Sequence, residues 1–135
     1  MLVDTSVLLR TAQVHHPQYT RVLRVIEVLP QRGQSLQIVA QNLIELWVVA
    51  TRPVTQNGLG MSALTAQAEL ARVKSIFELM PETPAIYPVW EELVIRHRIS
   101  GKPAHDARLV AAMHVHGIAS ILTFDQSGFT RFPMT

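Results

Sequence analysis

Apolar positions along the chain alternate between short runs and stripes at helical spacing. Leu2 and Val3 form the first run, which ends at Asp4. Tyr19, Val22, Leu23 and Ile26 then recur at three- and four-residue intervals and predict a helix, with Pro17 near its start and Gly33 beyond its end. Residues 36–39 read as a second strand. A nearly all-round apolar helix follows over 40–50 and stops before Pro53. Residues 51–61 hold Pro53, Asn57, Gly58 and Gly60 and read as a surface loop. Ser62 can cap the next helix, whose stripe is Ala66, Leu70, Val73, Phe77 and Met80 before Pro81. A short strand over 85–87 leads into a helix with Pro88 at its start and Trp90, Leu93, Val94 and His97 on one face. Beyond the turn at Ser100, Gly101 and Pro103, a helix carrying Leu109, Val110 and Met113 closes at Gly117, and residues 120–124 form a last strand running into Asp125. Strands alternating with helices predict an α/β fold around a mostly parallel sheet.

Composition narrows the class. The 135 residues are 48% hydrophobic and 16% charged, so they predict one compact domain over 1–135 with a sizeable core. The absence of cysteine excludes a disulfide scaffold, a thiol nucleophile and thiolate metal sites. The opening MLVDTS has no basic leader, and the most apolar stretch, 38–50, is broken by Gln41, Asn42 and Glu45. A soluble, cytoplasmic protein with no membrane segment is therefore expected. The net charge of +2 supports no strong electrostatic claim. Ten of the twelve cations are Arg, however, and its planar fork suits a phosphate-bearing partner.

The acids change the picture more. Asp4, Asp106 and Asp125 are the only aspartates, and two of them directly follow strands. In open parallel sheets, ligands bind beyond the carboxyl ends of the strands. Asp106 stands three, four and seven residues before Leu109, Val110 and Met113, which aligns it with the buried stripe of its helix. Glu45 lies inside LIELWVVA, where an unpaired carboxylate is costly or becomes protonated. Each acid alone also fits a bland role: an Asx turn for Asp4 or Asp125, a dipole contact for Asp106, an outward position or a pair with Arg52 for Glu45. Together, four carboxylates in one place repel one another unless a cation neutralises them. Oxygen ligands alone select Mg²⁺ or Mn²⁺.

Four segments, MLVDTSVLLR, QNLIELWVVATRP, KPAHDARLVAAMHVHGI and ILTFDQSGFTRF, carry these acids in order. In them the chain resembles the PIN domain family, and in particular the VapC-type ribonuclease toxins of toxin–antitoxin operons. The resemblance implies a three-layer α/β/α sandwich whose acids bind Mg²⁺ or Mn²⁺ and hydrolyse single-stranded RNA. It matches Asp4, Glu45 and Asp106 to the family's three most characteristic acids and Asp125 to a fourth, more variable one. Asp4, Asp106 and Asp125 would hold metal, and Glu45 would be a ligand or a water-orienting base. Ser6 and Thr123 match supporting positions near the acids. Where many relatives carry a further acid, this chain has Ser127-Gly128-Phe129, so the fourth carboxylate comes from Asp125 alone. A carboxylate-held Mg²⁺ can contact a phosphate oxygen and acidify a bound water, leaving a 5′-phosphate without use of the 2′-hydroxyl. The resemblance further implies a homodimer and a cognate antitoxin, with no direct DNA recognition by this chain.

Arg10, Arg52, Arg96, Arg98, Lys102 and Arg108 are candidates for RNA-backbone contacts, each with the alternative of a solvated or paired cation. The stripes bearing Tyr19, Val22 and Ile26, or Leu70 and Phe77, could form a dimer face or simply core. Other classes compete poorly. His114 and His116 are two apart on a helix and point to opposite sides, against a metal-free histidine ribonuclease. A receiver domain needs an acid pair after the first strand and a mid-chain Asp, and a haloacid-type phosphatase needs Asp-x-Asp where Ser6 stands. A non-catalytic PIN domain, kept as an RNA-binding or protein-interaction module, is the main rival.

Overall fold

The computed structural model describes residues 1–125 and 127–129. The elements run β1 (Leu2–Val3), α1 (Thr5–Thr11), α2 (Tyr19–Gln31), β2 (Gln37–Ile38), α3 (Ala40–Thr51), α4 (Ala63–Ile76), β3 (Glu78–Leu79), α5 (Ile86–Arg96), α6 (Pro103–His116) and β4 (Ile121–Leu122). The four strands form one all-parallel sheet in the order β3-β2-β1-β4. In register, Leu2 faces Gln37 on one side and Ile121 on the other.

The two residues of β1 explain the layering. Successive strand side chains point to opposite faces. Leu2 accordingly packs with Ile86 and Leu93 of α5 and Leu109, Val110 and Met113 of α6. Val3 packs on the other face with Val7 and Leu8 of α1, Val22 of α2, Leu46 of α3 and Val73 of α4. Both faces of the sheet are covered, which is the α/β/α sandwich expected from the sequence. Val22 and Phe77 are buried in this core, while Tyr19, Ile26 and Leu70 are half-buried. Among the described residues, no helix is long and apolar enough to cross a membrane.

Local chemistry sets several boundaries. The Ser62 hydroxyl accepts the Thr65 amide at 3.1 Å and caps α4, and Gly117 closes α6 with a φ of +68°. Two readings are corrected. The strand expected over 85–87 is absent, because Ile86 opens α5 and is buried in the core. The third strand lies earlier, at Glu78–Leu79, within what read as the tail of a helix. There α4 ends at Ile76, Phe77 drops into the core, and the Glu78 and Met80 amides donate to Leu36 and Ile38 carbonyls at 3.1 and 2.8 Å. The short helix α1 was not apparent in the apolar spacing.

The strand order decides where a ligand could sit. The chain moves outward from β1 to β2 to β3, then returns to place β4 on the other side of β1. The switch point lies between β1 and β4, and in open parallel sheets ligands bind there, beyond the carboxyl ends of the strands. Asp4 and Thr123 follow those two ends directly.

Candidate active site

Asp4 caps the N-terminus of α1 and is only 8% exposed. Its Oδ1 accepts the Thr5 amide at 2.9 Å, and its Oδ2 accepts the hydroxyls of Ser6 at 2.9 Å and Thr123 at 2.7 Å. A carboxylate has about four lone-pair sites, so three donors fix its orientation and still leave acceptor capacity. Thr123 does more than hold Asp4, since its Oγ1 also accepts the Asp125 amide at 2.9 Å. Ser6 Oγ similarly accepts the Phe124 amide at 3.3 Å. The two hydroxyls expected to support the acids thus bind the end of β1 to the segment after β4.

Asn42 lies beneath this junction and is fully buried. Its Oδ1 accepts the Val39 amide at 2.8 Å, satisfying an orphan donor at the start of α3, while its Nδ2 points to Thr5 Oγ1 at 3.4 Å. Sequence reasoning missed it, noting only a polar interruption of an apolar helix.

Glu45 stands one turn further along α3. Its Oε1 is buried and has no hydrogen-bond partner. Burial raises the Glu45 pKa above its usual 4.5, and the nearby Asp4 and Asp106 carboxylates raise it further; the Gln41 amide and His105 act in the opposite direction. Arg52, one of the alternatives offered as a partner for Glu45, donates its Nη2 to the Asn57 carbonyl at 3.2 Å. Glu45, Asp106, Arg52, Lys102 and His105 line one groove of about 640 Å³.

Asp106 lies in the first turn of α6, half-buried at the start of the stripe that packs on the sheet. Asp125 is exposed, and its Oδ1 accepts the Ser127 hydroxyl at 3.0 Å and the Gly128 amide at 3.2 Å. Phe129, buried with the α5–α6 side of the core, anchors the end of this loop. Gly128 lies close to two of the acids. A Cβ there would meet Asp125 Oδ2 at 2.7 Å and Asp106 Oδ2 at 3.3 Å. The sum of those two distances bounds the separation of the two carboxylate oxygens, so the loop brings Asp125 up to Asp106. No sequence signal beyond the Ser-Gly-Phe string marked this role.

The structure therefore places Asp4 and Asp106 near Glu45 and brings Asp125 up to Asp106, from four parts of the chain. Among the cations, Arg52 and Lys102 line the groove, while Arg10 lies over the Phe124 ring at 5.6 Å. Arg108 pairs with Glu82 at 2.6 Å and Arg96 with Glu92 at 2.6 Å, both at the surface. Arg108 Nη1 also reaches Gln41 Oε1 at 3.5 Å, and Gln41 Nε2 donates to the His105 carbonyl at 2.8 Å, which ties α3 to the start of α6.

The donor set suits a hard divalent cation. All four acids offer oxygen, and Glu45 carries a buried acceptor lacking a donor beside two like charges. Among the described residues, no group of three or more His, Asp or Glu side chains stands ready to hold a metal ion. Mg²⁺ binds through one or two carboxylates and keeps several waters, so an open cluster is compatible with it.

The sequence matches the PIN domain family over residues 1–133. The chain belongs to the PIN domain family. Its fold is similar to the crystal structure of VapC20 of Mycobacterium tuberculosis, a toxin that cleaves the sarcin–ricin loop. The TM-score is 0.66 at 19% identity, covering 94% of this chain and 91% of that one. No curated protein matches the sequence.

Proposed function

We propose that this PIN domain is a Mg²⁺- or Mn²⁺-dependent endoribonuclease that hydrolyses phosphodiester bonds in single-stranded regions of RNA. The observation that carries the reading is Glu45: a buried carboxylate oxygen without a partner, destabilised by Asp4 and Asp106 in a groove that also presents Arg52 and Lys102. Asp4, Asp106 and Asp125 would hold the divalent cation. When bound, it neutralises the scissile phosphate and acidifies water.

The chain's own residues supply the rest. Thr123 and Ser6 hold Asp4 in one orientation, and Thr123 passes that constraint to Asp125. The raised pKa of Glu45 suits a group that takes a proton from the attacking water. The water oxygen bonds to phosphorus as its proton passes to Glu45, the P–O3′ bond breaks, and the 3′-oxygen takes a proton from solvent. The products carry a 5′-phosphate and a 3′-hydroxyl. Since no step uses the 2′-hydroxyl, preference for RNA lies in binding, where Arg52 and Lys102 are the groove's candidates for backbone contacts.

The fold's likeness to VapC20 supports a further part of the proposal, that the protein is the toxin of a toxin–antitoxin pair. It would then act in the cytoplasm, as a homodimer restrained by an antitoxin. The test is cleavage of end-labelled structured RNAs with Mg²⁺, with Mn²⁺ and with EDTA. Metal-dependent cutting that leaves 5′-phosphates supports the nuclease. Cutting that survives EDTA and leaves cyclic phosphates contradicts it. RNA binding without any cutting would favour the non-catalytic module.

A further inference from the structure

A second hollow adjoins the acids from the other side. It has a volume of about 350 Å³, within the size range of small-molecule sites. Its apolar floor is Val7 of α1 with Val22 and Val25 of α2, and its polar rim includes Gln18 and Arg21. Thr123 and Phe124 close it on the side of β4. Thr123 is the residue that donates to Asp4, so the hollow begins one side chain away from the acidic site.

Three features point to a planar, polar-edged ligand. Phe124 remains 41% exposed although it is a large aromatic residue beside the core, and its amide is fixed to Ser6 Oγ. The Arg10 guanidinium lies over one face of the Phe124 ring, 5.6 Å from its centroid, which leaves the opposite face for a base. Gln18 Oε1 is buried in the rim and has no hydrogen-bond partner. A buried amide oxygen without a donor is costly, and a turn of the half-buried Gln18 side chain would present it to a ligand N–H. An aromatic face, an apolar slot, an orphan amide and flanking guanidinium groups together match a nucleobase attached to a phosphate chain.

We propose that this hollow is a base-binding subsite, which takes a nucleobase of the RNA strand flanking the phosphate held at the acids. The inference rests on the nuclease reading and adds to it the contact by which the enzyme could choose its cleavage position. Phe124 supplies the stacking face, Gln18 reads the base edge, and Arg10 and Arg21 lie beside the strand. Placing a base here while its phosphate reaches Asp4 would fix the register of the strand at the acids.

The test separates the subsite from the nuclease. Binding of 3′-fluorescein-labelled RNA octamers is measured by anisotropy in EDTA, for intact strands and for strands with one abasic position. Cleavage of the same strands in Mg²⁺ is followed in parallel. Stacking on one aromatic side chain corresponds to a loss of roughly 5- to 150-fold in affinity on alanine substitution. The expectation is that Phe124→Ala loses affinity within that range, whereas Phe124→Tyr keeps it. One abasic position should weaken the wild type by a similar factor and leave Phe124→Ala unchanged. Gln18→Leu should alter the ranking of A, C and U octamers. Melting curves check that each variant is folded. Equal abasic effects in wild type and Phe124→Ala, or wild-type affinity in Phe124→Ala, overturn the subsite alone. Cutting in Mg²⁺ without any binding in EDTA also overturns the subsite. If the wild type neither binds nor cuts RNA, the nuclease reading falls and the subsite with it.

Discussion

Removing one hydroxyl should disturb two acids at once. Thr123 Oγ1 donates to Asp4 Oδ2 at 2.7 Å and accepts the Asp125 amide at 2.9 Å. Thr123→Val keeps the shape and removes both contacts. A hydrogen bond to a charged group contributes about 1.5–3 kcal/mol, and the low end applies here because Ser6 still donates to the same oxygen. The Asp125 amide is at an exposed residue, so water replaces its partner at little cost. The net loss is about 1.5 kcal/mol, which for a domain of this length lowers the Tm by roughly 5–8 °C. The functional effect should be larger in proportion, because partners that orient metal ligands typically change metal affinity by about 10- to 100-fold. Thermal melts with and without Mn²⁺, together with calorimetric Mn²⁺ titration, measure both effects. Thr123→Ser keeps the hydroxyl and should behave close to the wild type. A Thr123→Val protein that melts with the wild type and binds Mn²⁺ equally well would refute the coupling of Asp4 to Asp125.

Three further substitutions test separate contacts. Glu45 has a pKa raised above 4.5 by burial and by its acidic neighbours, so the folded state binds its proton more tightly than the unfolded chain does. Its contribution is therefore most favourable below the ordinary carboxylate range and declines as pH rises through the raised value. In EDTA, Glu45→Gln should be more stable than the wild type at pH 7.5, with the difference shrinking towards pH 4.5 in urea melts. It should lose cleavage at least 100-fold if Glu45 accepts the water's proton, the usual scale for general-base removal being about 10²–10⁴. Gly128→Ala puts a Cβ 2.7 Å from Asp125 Oδ2, and because that carboxylate is exposed it can turn away. Stability should change by less than about 1 kcal/mol while Mn²⁺ affinity falls, as denaturation and calorimetry would show. Asn42→Ala leaves the buried Val39 amide unpaired and should cost about 1–3 kcal/mol in urea unfolding.

The acids were legible because each carries a local signature. Asp4 and Asp125 follow apolar runs that end abruptly, Asp106 keeps phase with a buried stripe, and Glu45 is a charge where charge is expensive. Their approach to one another follows from strand order, which no local pattern encodes. Strands of only two residues also leave little to read. Glu78 and Leu79 are both exposed at the sheet edge, so no alternation distinguishes them from a continuing helical stripe. The expected strand over 85–87 failed because Ile86 meets the core as the first residue of α5 rather than through a ladder. Contacts between distant positions were equally hidden. Gly128 leaves room between two aspartates, and Arg108 pairs with Glu82 across 26 positions of chain. The first arises only once the loop after β4 meets the start of α6, and the second only once the segment between β3 and α5 does.

The central claim is that acids from four elements form one divalent-cation centre that cuts RNA. Cleavage of one end-labelled RNA by wild type and Asp106→Asn across a Mn²⁺ titration tests it most directly, with the Mn²⁺-dependent rise in Tm measured on the same samples. Asp106→Asn keeps the side-chain shape and removes one charge. The account predicts that the wild type cuts in proportion to Mn²⁺ occupancy, and that Asp106→Asn loses both the cutting and most of the Tm rise. Mn²⁺-dependent cleavage that proceeds equally in Asp106→Asn would contradict it.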